Sequence, residues 1–111
     1  MQVIFNASDF NHGMSMVSHA QAQRPTRPFQ DGVYLETREE GLQLTCTDGE
    51  VTITSTVPAV VREDGVALLP AKLTAEWMRS LSGEVELTTQ DNRQALVKNA
   101  GSKTILVMLD A

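Results

Sequence analysis

Two stretches of the chain run through the same order of elements, and this repetition constrains the fold more than any single motif. In the first, Val3-Ile4-Phe5 reads as a short apolar strand, and Phe10, Gly13, Met14, Val17 and Ala20 then fall at helical spacing. Alternation of period two follows in Val33 and Leu35, in Leu42, Leu44 and Cys46, and in Val51, Ile53 and Val57. In the second, Val66 to Leu69 is the short strand and Leu73, Trp77, Met78 and Leu81 form the helical stripe. Val85 and Leu87, then Ala95 and Val97, then Ile105, Val107 and Leu109 are the three alternating runs. Ala7, Met14 and Val17 answer Ala71, Met78 and Leu81 sixty-four residues later. The pattern predicts an α+β fold: two strand-helix-three-strand units, residues 1–61 and 65–111, within one domain over residues 1–111. Two helices would cover one face of an antiparallel sheet layer.

Local signals support these boundaries. Asn6 or Ser8 can accept backbone N–H bonds at the start of the first helix, with Asp9 in its electropositive first turn. Gly13 inside that helix costs about 1 kcal/mol relative to alanine, so close packing is expected there. Arg24-Pro25-Thr26-Arg27-Pro28 ends the helical stretch, since two prolines favour extended chain. Asp48-Gly49 predicts a two-residue hairpin turn, Pro70 the start of the second helix and Gly83 its end. Phe10, Met14, Val17, Leu73, Trp77 and Leu81 are the expected helix residues of the core.

A chain of 111 residues with 41% apolar content can bury a core without a disulfide, and no apolar run is long enough to cross a bilayer. The lone Cys46 has no partner within the chain and sits in an apolar alternation, which makes a reducing cytoplasm the expected compartment. No catalytic constellation emerges. His12 and His19 are about 10 Å apart along a helix, too far to share a metal, and read either as surface histidines or as a partly protonated pair facing phosphates. Asp48 and Glu50 flank a turn, and no phosphate loop or nucleophile–base spacing is present. No metal, no cofactor and no enzymatic activity are expected.

The net charge of −5 argues against nucleic acid, but the charge is unevenly spread. Residues 7–30 and 70–82 carry Arg24, Arg27, Lys72 and Arg79 against Asp9 and Glu76, while the remainder is strongly acidic. Lys72, Ala75, Glu76 and Arg79 share one face of the second helix, which reads either as a solvated face or as a basic one.

Taken in order, the opening strand and helix, Arg24-Pro25-Thr26-Arg27-Pro28, Leu42 to Glu50, Leu69-Pro70-Ala71-Lys72 and the closing strand from Gly101 to Leu109 resemble the first domain of the bacterial sliding clamp, the DNA polymerase III beta subunit. The resemblance implies a DNA clamp fold and a role in replication processivity. Two head-to-tail chains of three such domains form a ring, and helices line a hole that holds duplex DNA without reading its sequence. By position, Arg24 and Lys72 match DNA-contacting residues of the family; charge and face add Arg79 and Arg27. The closing strand would join the partner chain's third domain through Thr104, Ile105 and Val107, although residue parity alone leaves open which side chains point outward. Phe29, Gly49, Ser102 and Ile105 depart from the residues usual in the family. Polymerase and clamp-loader contacts would lie in domains beyond those spanned here, as for an excised domain or a truncated copy. The alternative is a small acidic interaction module of the same fold with no DNA role.

Overall fold

The computed structural model describes residues 1–20 and 31–109. Strand β1 (Gln2–Asn6) leads into helix α1 (Ala7–Val17), which runs on through a 3-10 turn at Ser18–Ala20. Strands β2 (Gly32–Arg38), β3 (Gly41–Thr47), β4 (Thr52–Val57) and β5 (Ala59–Glu63) complete the first half. Strand β6 (Val66–Pro70), helix α2 (Ala71–Arg79), β7 (Glu84–Gln90), β8 (Gln94–Asn99) and β9 (Ser102–Val107) make the second.

The strands form two antiparallel sheets rather than one layer. Their orders are β5-β1-β7-β8-β9 and β4-β3-β2-β6. Each half therefore builds a three-stranded meander and lends its first strand to the other: β1 pairs with β7, and β6 with β2. Single-layer packing is overturned because the first strands are exchanged, so that both meanders have inner faces to bury. Val3, Phe5, Val85, Leu87, Ala95, Val97 and Leu106 from one sheet, and Val33, Leu35, Leu42, Leu44, Val57 and Leu69 from the other, join Phe10, Met14, Val17 and Met78 in one apolar core.

The third alternating run of the first half also differs from expectation. Pro58 has no N–H to give a ladder, and there the chain leaves β3 and continues as β5 along β1. The end of the second half copies this on a small scale, where the Leu109 N–H donates to the Leu68 carbonyl of β6 at 2.8 Å. The Asp48-Gly49 turn is wider than two residues. Thr47 pairs with Thr52, and the Asp48 carboxylate closes the loop by accepting the N–H of Val51 at 2.7 Å and of Glu50 at 2.9 Å. Those bonds, the Val51 one foremost, hold the Asp48 carboxyl below its usual range. Val51 consequently lies exposed in the turn, outside β4.

The first helix is built as its sequence reads. Asn6 caps it, its side chain accepting the Ser8 N–H at 2.9 Å, and Phe10, Met14 and Val17 are buried. A Cβ on Gly13 would sit 2.9 Å from Val57 Cγ2 and 3.1 Å from Leu44 Cδ1, so glycine lets α1 lie directly on β3 and β4. The second helix corrects the predicted stripe: Ala71, Thr74 and Met78 are buried, Trp77 and Leu81 are half-buried, and Leu73 is 53% exposed. Trp77 stands where α1 has Gly13, and the buried face of α2 is turned toward Ala71, Thr74 and Met78.

Candidate nucleic-acid interface and subunit edge

Two backbone-anchored contacts orient the helices. The Ala7 N–H donates to the Gly83 carbonyl at 2.8 Å, and Asn11 Nδ2 donates to the Met78 carbonyl at 3.3 Å. The start of α1 thus lies beside the end of α2, and the helices run antiparallel with their outer faces on one surface. On α2 that surface carries Lys72, Glu76 and Arg79, all exposed; on α1 and its 3-10 extension it carries Ser8, His12, Ser15 and His19. Arg79 lines a groove between the helices together with Asn11, Ser15 and Ser18.

Lys72 and Arg79 are seven residues apart, about 10 Å along the helix. Neither forms an ion pair with any described residue, whereas Arg38 on β2 is held by Glu36 at 2.8 Å. Arg24 and Arg27 lie outside the described residues. Among the described residues, Ala20 is buried, and the Asp31 carbonyl accepts the Ala71 N–H at 3.1 Å, next to Lys72 in sequence.

The second candidate surface is the free edge of β9. Its register against β8 starts at Asn99–Ser102 across the two-residue turn Ala100-Gly101, whose φ angles of 48° and 85° suit the twist of a hairpin. Hydrogen-bonded pairs alternate from there, so the peptide groups of Lys103, Ile105 and Val107 face away from β8. Side-chain parity is now fixed. Leu106 is buried and Thr104 half-buried on the helix side, while Ile105 and Val107 are 49% and 61% exposed on the outer face.

Other titratable groups have structural surroundings. Burial pushes the Cys46 thiol up to about 11, and its Sγ faces the Gly32 carbonyl at 3.7 Å, so it is inert at neutral pH. Among the described residues no cluster of His, Cys, Asp or Glu is arranged to hold a metal ion, and no helix is long and apolar enough to cross a membrane. The sequence left Ile105 and Val107 without a direction, because both parities of this strand are apolar. The antiparallel helix packing places the exposed His12 and His19 on the same surface as the two α2 cations.

Comparison with known proteins agrees with this architecture. The Bacillus subtilis DNA polymerase sliding clamp superposes with a TM-score of 0.94 at 21% identity, over 100% of this chain and 32% of that one. The Caulobacter crescentus pol III beta structure gives 0.91 at 22%, over 100% and 31%. In sequence, the beta sliding clamp of Synechocystis sp. is 35% identical over 98 residues, 86% of this chain and 25% of the relative. That of Synechococcus elongatus is 30% identical over 104 residues, 92% and 28% respectively. The chain thus spans about a quarter to a third of the length of these relatives. The family described as DNA polymerase III beta subunit, N-terminal domain, matches residues 1–111. The chain belongs to the DNA polymerase III beta subunit family, in the part that forms its N-terminal domain.

Proposed function

We propose that residues 1–111 act as one clamp-type domain, with halves 1–61 and 65–111, in a non-catalytic ring that encloses duplex DNA during replication in the cytoplasm. The helix pair faces the duplex, and Lys72 and Arg79, together with Arg24 and Arg27, hold backbone phosphates without contacting base edges. The observation that carries this reading is the pair of cations on the outer face of α2, left without carboxylate partners among the described residues of a chain whose net charge is −5. Thr104, Ile105 and Val107 of β9 join a further clamp domain by strand addition; polymerase and clamp-loader contacts belong to other domains of the assembly. Family membership disfavours an interaction module with no DNA role.

Fluorescence anisotropy of the chain with a labelled duplex tests the DNA surface. Binding is expected to be weak and equal for unrelated sequences, with log affinity falling against log salt by about 0.9 per phosphate contact. Lys72→Glu with Arg79→Glu should flatten that slope by about two contacts. A slope unchanged in the double variant, or binding confined to one sequence, overturns the reading.

A further inference from the structure

Helix α1 shares the proposed DNA surface, yet residues 7–20 contain no lysine or arginine. Their side chains able to carry positive charge are His12 and His19, both exposed. They are seven positions apart, nearly two helical turns, so both lie on the outer face about 10 Å apart. Sixty-four residues on, Glu76 holds in α2 the place that His12 holds in α1.

The hydrogen bonding of His19 fixes which nitrogen is available. Its Nδ1 lies 3.2 Å from the Met16 carbonyl oxygen, which can only accept, so Nδ1 carries a proton and Nε2 is the site that gains or loses one. With Nε2 unprotonated, a lone pair faces any approaching phosphate oxygen; with it protonated, the ring offers a charge-assisted N–H donor. Imidazole is the side chain that makes this change near neutrality. Among the described residues, the charged groups on the two helices are Asp9, one turn before His12, and Lys72, Glu76 and Arg79 on the antiparallel helix; β3 and β4, which pack against the 3-10 turn of His19, carry none themselves, and the turn joining them holds Asp48 and Glu50. No described carboxylate forms an ion pair with either imidazole. His19 lies toward the Lys72 end of the surface and His12 toward Glu76 and Arg79.

We propose that His12 and His19, when protonated, are phosphate contacts of the first helix and its 3-10 extension, so that this element holds DNA more strongly when the two imidazoles carry charge. This inference rests on the DNA reading above.

The test is the salt dependence of duplex binding by the chain at pH 6 and pH 8, each at matched ionic strengths. The slope should steepen at pH 6 by up to about 0.9 per histidine. In a His12→Gln, His19→Gln variant the slopes at the two pH values should coincide, while Lys72→Gln should lower the slope equally at both. Both histidines are exposed, so the variants should keep the circular dichroism spectrum of the parent chain. Equal slopes at the two pH values in the parent, or undiminished steepening in the double histidine variant, overturns the inference and leaves the DNA reading standing. Absence of low-salt binding at both pH values removes the DNA reading, and the inference with it.

Discussion

At the scale of single residues, Gly13 and Trp77 show how one position in a repeated unit can set two different packings. Gly13 brings α1 onto Val57 and Leu44, where a single added carbon already meets side-chain atoms at 2.9 Å and 3.1 Å. Those atoms are methyl groups able to yield slightly, and the helix gains from alanine, so Gly13→Ala is expected to be close to neutral. Gly13→Leu should instead destabilise the chain by about 1–3 kcal/mol through overpacking, read by chemical denaturation. Close packing at Gly13 was legible in the sequence because a glycine mid-helix needs a reason. The exposure of Leu73 was not: apolar spacing marks a stripe wider than the buried one, and nothing local says that Ala71, Thr74 and Met78 win the inner position. Thr74, fully buried beside two apolar neighbours on the wheel, carries no polar signature that would place it inside.

At the scale of elements, β9 is the informative case. Five consecutive apolar residues, Ile105 to Leu109, hide the alternation that elsewhere told inside from outside. Register against β8 supplies what the pattern lacked, placing Leu106 within the core and Ile105 and Val107 on the outer face. Ile105→Asp with Val107→Asp should therefore leave the thermal midpoint of the isolated chain within a few degrees of the parent. Leu106→Asp, which buries a carboxylate in the apolar core, should unfold it or lower the midpoint far more. Equal losses in the two variants would mean that the outer pair contributes to this domain's own core. A free edge with exposed apolar side chains is also a liability for any strand left uncovered. The β4–β5 break was legible only in part: Pro58 announces an interruption, but a proline cannot say that the chain resumes on a different sheet.

At the scale of the whole molecule, the order of elements was readable because each half repeats it, while the pairing between halves was hidden. Short strands such as Val3-Ile4-Phe5 and Val66 to Leu69 have no local partner signal, and their destinations depend on residues thirty or more positions away. The exchange makes one cooperative unit of what reads as two. Denaturant unfolding followed by Trp77 fluorescence and by far-ultraviolet circular dichroism should give one coincident transition. Separate transitions would mean that the halves hold together independently of the exchanged strands.

The position of β1 between β5 and β7 has a consequence for biosynthesis. Within residues 1–111, β1 is made before every other strand yet is an inner strand of its sheet, and one of its neighbours, Glu84–Gln90, follows only after β2 to β6 and α2. Until then Val3 and Phe5, which end fully buried, have no finished sheet to enter, and α1 has only the first meander to rest on. Such long-range pairing slows folding, because a large loop must close before the contact rewards it. Within this domain the β1–α1 segment therefore depends on protection until β7 is made, and the meander of β2, β3 and β4, whose contacts are local, is better placed to form early.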